Sequence, residues 1–289
     1  MAIPHSALTL PQIDFSMVRE DSPMRRLAFA VLLFIPAVSI AQLNSGDGPR
    51  FFEAGMTALT GVGPMRDDAA ALENLRRAAG VNYAPAQVVM GYLCETGGAG
   101  LGADPAQAVE WYKKAAKLND SIGSWLLGRA YFTGTGTARD MEQAVTELRK
   151  SANQGDPFGQ QLLGMALLEK GNPAEAAQWF RKAAMQGLPQ AQQQLGTLLK
   201  QGQGIPADKA EAYVWLALSA RAGNSAVSSD VAVLESELGA SQAGAAKARV
   251  AEVEPGVTRV VVAKGCTGWQ GEFSPIPAAP PPDIQSYCR

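Results

Sequence analysis

The chain repeats itself at a nearly fixed interval, and this constrains its fold more than any single residue does. Gly55, Gly91, Gly128, Gly164 and Gly196 are separated by 36, 37, 36 and 32 residues. All but the first sit in an apolar-Gly pair: Met90-Gly91, Leu127-Gly128, Leu163-Gly164 and Leu195-Gly196. A period of this size is the mark of stacked helix-turn-helix units. Four copies are plain, starting near Ala86, Ser124, Gly159 and Ala191, and a degenerate one starts near Phe51. The short last interval traces to a turn: GGAGLGAD and GTGTARD in other copies correspond to GNP at Gly171–Pro173, so a loop was shortened and both helices were spared.

Within a copy the pattern accounts for its own folding. Glycine inside a helix costs roughly 1 kcal/mol relative to alanine, so its return at one register implies close approach of a neighbouring helix. Asp104, Asp140, Asn172 and Asp208 read as N-caps, each followed three residues later by Gln107, Gln143, Glu175 or Glu211, the spacing of a capping box. Pro105 and Pro173 fall at the first helical position. Ala108, Trp111 and Ala115 recur as Ala176, Trp179 and Ala183, which turns the aromatic toward the stack. The second helices end in Lys113-Lys114, Arg149-Lys150 and Arg181-Lys182, where cations complement the helix dipole.

The combination of LG, an Asp-capped second helix after a Gly-rich turn, and A-x-x-W-[YF]-x-K-A resembles the Sel-1-like repeat family, relatives of the tetratricopeptide proteins. The resemblance runs over about residues 51–222; Asn74 and Glu147 depart from it where Trp111 and Trp179 stand. It implies an all-α, right-handed α/α superhelical solenoid over residues 42–222. Two shorter helices, Ser229–Leu238 and Ser241–Val253, are expected to close the array over 223–253, because a solenoid needs a terminal unit on its last apolar face. Residues 254–289, with five prolines between Ser274 and Asp283, read as an extended tail, in which Pro277-Ala278-Ala279-Pro280 matches the PxxP pattern.

Residues 1–41 read as an address. Met24-Arg25-Arg26 precede an apolar run from Leu27 to Ala41 that ends in small residues, so cleavage is expected between Ala41 and Gln42, with a periodic-array protein delivered to the periplasm or secreted. The run falls short of the roughly 20 apolar residues of a membrane span and contains Pro36. An oxidising compartment allows Cys266 and Cys288, with 21 residues between them, to pair. That closure contributes about 3 kcal/mol in the chain-entropy model. Cys94 stands where other copies have Tyr131, Leu167 and Leu199, and reads as a small buried apolar residue.

Chemistry is hard to find in the sequence. The single histidine, His5, precedes the apolar run, so imidazole-dependent triads and metal sites are excluded from the processed chain. The sequence offers no catalytic constellation, no metal-ligand spacing and no cofactor motif. Asp67-Asp68 is a helix start. A formal net charge of −2 gives no basic surface for nucleic acid.

A binding surface remains. In solenoids of this kind the first helices line a concave groove. At one slot of that helix the copies carry Val88, Trp125, Gln161 and Gln193, so Trp125 is either an exposed anchor beside Arg129, bordered by Tyr92 and Gln161, or a space-filling core residue. Exposure would leave stability nearly intact in Trp125→Ala. The expected role is a non-catalytic scaffold for a protein or peptide partner, an envelope component. The resemblance raises one alternative, β-lactam binding or hydrolysis as in some cysteine-rich exported relatives, although this chain lacks their cysteine pair in each repeat.

Overall fold

The computed structural model describes residues 45–61 and 66–257. The Ala41–Gln42 cleavage point, the Cys266–Cys288 pair and the proline-rich tail lie outside these residues. Eleven α-helices and no strand occur among the described residues. They are α1 (Gly48–Thr60), α2 (Asp68–Gly80), α3 (Ala84–Thr96), α4 (Pro105–Lys117), α5 (Ser121–Thr133), α6 (Met141–Asn153), α7 (Pro157–Glu169), α8 (Pro173–Met185), α9 (Pro189–Gln201), α10 (Lys209–Arg221) and α11 (Ser228–Val253). Odd and even helices up to α10 form five A/B pairs, and each helix packs on the next in sequence.

Every helix from α1 to α10 has 13 residues, so variation between copies is confined to turns. Each B-to-A turn has three residues. Its middle residue adopts positive φ, filled by Asn82 and Asn119 in two copies and by Gly155 and Gly187 in the others. All four turns close as Schellman motifs; in the second, Asn119 N–H donates to Ala116 C=O and Asp120 N–H to Ala115 C=O, at 3.0 and 3.2 Å. The A-to-B turn has three residues in the fourth pair, Lys170–Asn172, against seven or eight elsewhere, which places the expected deletion in a loop.

The recurring glycines are contact points between the A and B helices of one repeat. A Cβ on Gly55, Gly128 or Gly196 would lie 2.8, 2.6 or 2.7 Å from Cγ of Leu75, Leu148 or Leu216, and one on Gly91 or Gly164 would strike the rings of Tyr112 or Phe180. Those five partners are fully or almost fully buried, and they occupy one register of the B helix. The aromatic that seats on the glycine is the residue after the tryptophan, while the tryptophan itself also packs on the stack, Trp179 being buried in the core. Trp111 is half-buried, with Lys114 Nζ 3.8 Å from its ring centre, and Trp179 receives Lys182 in the same way. Where Glu147 replaces the tryptophan, Lys150 forms an ion pair with it at 2.7 Å, so this face is rearranged rather than opened.

A second small position joins consecutive repeats. Ala86, Gly123, Gly159 and Ala191 are each third in an A helix and buried; a Cβ on Gly123 would lie 3.0 Å from the backbone nitrogen of Ala116 in the preceding B helix. Beside it, buried Gln87, Gln160 and Gln192 donate to the carbonyls of Ala79, Ala152 and Ala184 at 3.2, 3.2 and 3.1 Å. These clasps satisfy last-turn carbonyls of the preceding B helix. The third repeat has Ser124 there, and its hydroxyl finds no partner.

The caps form as expected at Asp67, Asp104, Asp140, Asn172 and Asp208, each accepting from the backbone N–H three residues on. The reciprocal half of a capping box does not. The cap N–H groups instead donate to the ends of the A helices: Asp104 to Cys94, Asp140 to Tyr131 and Asp208 to Leu199, at 2.7, 2.9 and 2.9 Å. This frees Glu175 and Glu211 to accept from Arg149 and Arg181 of the preceding B helix, at 2.6 and 2.5 Å, and from the indole N–H of Trp179 and Trp215. The helix-end cations thus link repeats and cover tryptophans instead of only complementing a dipole.

The terminal unit is one run, α11, broken at Gly239, whose φ of 70° and ψ of 170° are not helical. The break falls between the two expected segments. Leu234, Ala243, Ala246 and Val250 are buried there, covering α10.

Gly128→Ala is expected to destabilise the protein by about 1–3 kcal/mol, because the added methyl meets both the Leu148 side chain and its backbone nitrogen. Gly244→Ala, in α11 with nothing within 4 Å, is expected to stabilise by about 0.5–1 kcal/mol. Urea unfolding of the two variants checks both signs.

Candidate functional site

The positions at which the copies disagree most converge on the A helices of the second to fourth repeats. Tyr112, seated on Gly91, extends its hydroxyl to donate to Glu95 Oε2 at 2.7 Å. Arg129 Nη2 reaches across from α5 and donates to both oxygens of the same carboxylate at 2.7 and 2.6 Å. The two charged side chains are only 18% and 16% exposed, so this pair is shielded from solvent in a way surface pairs are not.

The Arg129 guanidinium also lies 5.5 Å from the ring centre of Trp125, and Trp125 packs on Phe158 of α7 with ring centres 5.7 Å apart and planes inclined at 51°. Trp125 is 7% exposed. It is therefore not the exposed anchor that the slot comparison allowed. The reason is steric: Gly123 brings α5 close to α4, Phe158 of α7 packs on the ring, and every residue from Ile122 to Gly128 is buried. Tyr92 is buried as well, while Gln161 is half-buried on α7. The structure brings Tyr92, Trp125 and Arg129 into one cluster through Glu95 and Tyr112, two residues the sequence comparison did not single out.

Burial, followed by the Glu95 charge, pushes the Tyr92 hydroxyl up to about 12, with Arg129 opposing. The same two causes in the same order hold Tyr112 well above the usual tyrosine value. Both phenols stay neutral, and Arg129 is committed to a carboxylate and a ring. What the cluster does chemically is to tie α3, α4 and α5 together at the one repeat junction that has Ser124 in place of the glutamine clasp. Cys94 is buried, its thiol donates to Gln107 Oε1 at 3.0 Å, and burial raises its pKa, which fits a small core residue and not a nucleophile. No group of three or more His, Cys, Asp or Glu able to hold a metal occurs among the described residues.

Trp125→Ala is expected to cost about 3–5 kcal/mol, the range for truncating a core aromatic, and a loss under 1 kcal/mol in urea unfolding would place the ring outside the core. The tyrosines predict a pH dependence. Their folded pKa values lie above the unfolded value of 10.0, so their contribution is intact below that pH and is lost above it, for Tyr92 as pH rises through about 12. The thermal midpoint should fall between about pH 10 and 12, and Tyr112→Phe should reduce the fall.

The chain's sequence matches the Sel1 repeat model over residues 52–80, 84–120, 121–156, 159–188 and 189–224. These are the five helix pairs, including the first, which the sequence showed only in degenerate form. Its structure is similar to a protective antigen of uropathogenic Escherichia coli strains displaying an SLR fold, at 28% identity and a TM-score of 0.64. That match covers 80% of this chain and 49% of the antigen, so the chain spans about half its length. A Sel1 repeat protein from Oxalobacter formigenes matches at 24% identity and a TM-score of 0.59, over 79% of this chain and 97% of that one, and shares the fold. No curated protein matches the chain. With five consecutive copies matched and each copy an observed helix pair, the chain belongs to the Sel1 repeat family.

Proposed function

We propose that this Sel1 repeat chain is an exported, non-catalytic scaffold that holds a protein or peptide partner of the cell envelope. Sel1 repeat arrays are commonly protein-interaction modules. One observation carries the reading for this chain: the residues that recur between copies are consumed in packing, capping and inter-repeat pairing, so specificity is left to positions that do not recur.

The A-helix layer supports a groove in only part of the array. From Ala86 to Cys94 and from Ile122 to Gly128 every residue is buried, whereas Phe158, Gln161, Met165, Gln193 and Thr197 of α7 and α9 reach solvent. The partner surface on this layer is accordingly assigned to the fourth and fifth repeats. The export part of the reading rests on the apolar run before Gln42.

A photo-cross-linking amino acid at Gln161, in the full chain in intact cells, is expected to give a discrete higher-mass adduct, and the same group at exposed Glu73 of α2 is not. Mass spectrometry of the recovered chain is expected to find Gln42 at its N-terminus. Adducts of equal yield at both positions, or an unprocessed chain, would contradict the reading.

A further inference from the structure

A groove on the B-helix side of the fourth repeat has a floor and walls built from departures from the repeat pattern, beneath the recurring cations Arg181 and Lys182. Its floor is Ala177, at a position where the other B helices carry Leu72, Val109, Val145 and Tyr213, so α8 has a notch where they have bulk. Its end wall is Met185, 39% exposed, where the others carry Gly80, Lys117, Asn153 and Arg221. Ile205, from the α9–α10 turn, closes the far side, and Gln178, Arg181 and Lys182 form the rim. The space is about 510 Å³ and its lining is mostly carbon. It is large enough for bulky side chains of a docked segment.

The charge of the rim decides what fits. Two cations and no carboxylate line the groove. Arg181 shares its charge with Glu211 at 2.5 Å, but Lys182 meets only the Trp179 ring, its Nζ 3.8 Å from the ring centre, and has no carboxylate partner among the described residues. An ammonium in that position attracts an incoming carboxylate without first breaking an ion pair. Exposed methionine is an adaptable apolar contact that suits a docking surface better than a fixed core.

We infer that this groove, formed by Ala177, Met185 and Ile205 beneath Lys182, is a docking site for an acidic amphipathic segment of a partner protein, which seats an apolar side chain in the notch and a carboxylate against the lysine. The inference rests on the chain being a binding scaffold and names the chemistry of what it binds. The site lies on α8 and the α9–α10 turn, separate from the α7 and α9 surface carrying Gln161.

Fluorescence anisotropy with the full chain tests it, using a short fluorescein-labelled peptide that alternates leucine with glutamate and a counterpart with lysine for glutamate. The acidic peptide should bind saturably and the lysine peptide should not. Met185→Asn, which places the residue of the third copy at an exposed position, should weaken the acidic peptide by about tenfold or more while the thermal midpoint stays unchanged, and Ala177→Val, which restores the residue of two other copies at a buried position, should weaken it by a similar factor. Lys182→Gln should weaken it and flatten its salt dependence. Equal binding of both peptides, or affinity indifferent to Ala177→Val and Met185→Asn, would overturn the proposal. So would a concentration-dependent doubling of mass that Met185→Asn abolishes without any peptide binding, since the groove would then join two copies. Loss of the Gln161 adduct with peptide binding intact would count against the scaffold reading alone, so the two failures are distinguishable.

Discussion

The contact between a helical glycine and one bulky residue of the partner helix sets the geometry of every repeat. Gly55 with Leu75, Gly91 with Tyr112, Gly128 with Leu148, Gly164 with Phe180 and Gly196 with Leu216 bring the A and B backbones to a separation that any side chain on the A helix would prevent. The helix pays a propensity penalty of about 1 kcal/mol for each such glycine, and the burial of a leucine or aromatic ring against it outweighs that penalty. Once the pair is fixed, the cap N–H of the B helix falls within reach of the end of the A helix, and the N3 carboxylate is free to accept from an arginine of the preceding repeat. Intra-repeat packing and inter-repeat linkage are thus successive consequences of one close approach.

The junction between the second and third repeats shows how the array tolerates a missing linkage. Gln87, Gln160 and Gln192 clasp the preceding B helix at three junctions, and Ser124 is too short to do so at the fourth. There Glu95, Arg129 and Tyr112 span the gap with three charge-assisted hydrogen bonds. A half-buried pair of this kind contributes little beyond its desolvation cost when considered alone, but it fixes geometry where the backbone clasp is absent.

Much of this was legible before the structure, and the misses have physical causes. The glycine register, the Asp67, Asp104, Asp140, Asn172 and Asp208 caps, the shortened turn before Pro173 and the break near Gly239 all follow from local rules that act within one helix or turn. Trp125, Tyr112 and the N3 carboxylates were harder, because their roles depend on what the neighbouring repeat presents. Comparison with Gln161 and Gln193 left Trp125 either exposed or space-filling, and it is buried because Phe158 and Arg129 cover it. Tyr112 was overshadowed by the more conspicuous Trp111. The notch at Ala177 could have been found from the stacked sequences, since alanine among leucine, valine and tyrosine is a visible deficit of volume, but only the fold shows that Met185 and Ile205 enclose it.

The account holds that recurring residues maintain the array while non-recurring ones shape the surface that binds. Its most direct test is a full-length chain with Ala177→Val, Met185→Asn and Ile205→Thr, which gives the fourth repeat and the following turn the residues of the third, measured for unfolding free energy and for partner adducts in intact cells. The account predicts that the array still unfolds cooperatively, with a stability change of no more than about 1–3 kcal/mol since Ala177 is buried and Ile205 packs against the core, together with loss of adducts formed at this groove. Adducts retained at parental yield, or an array that no longer unfolds cooperatively, would contradict it.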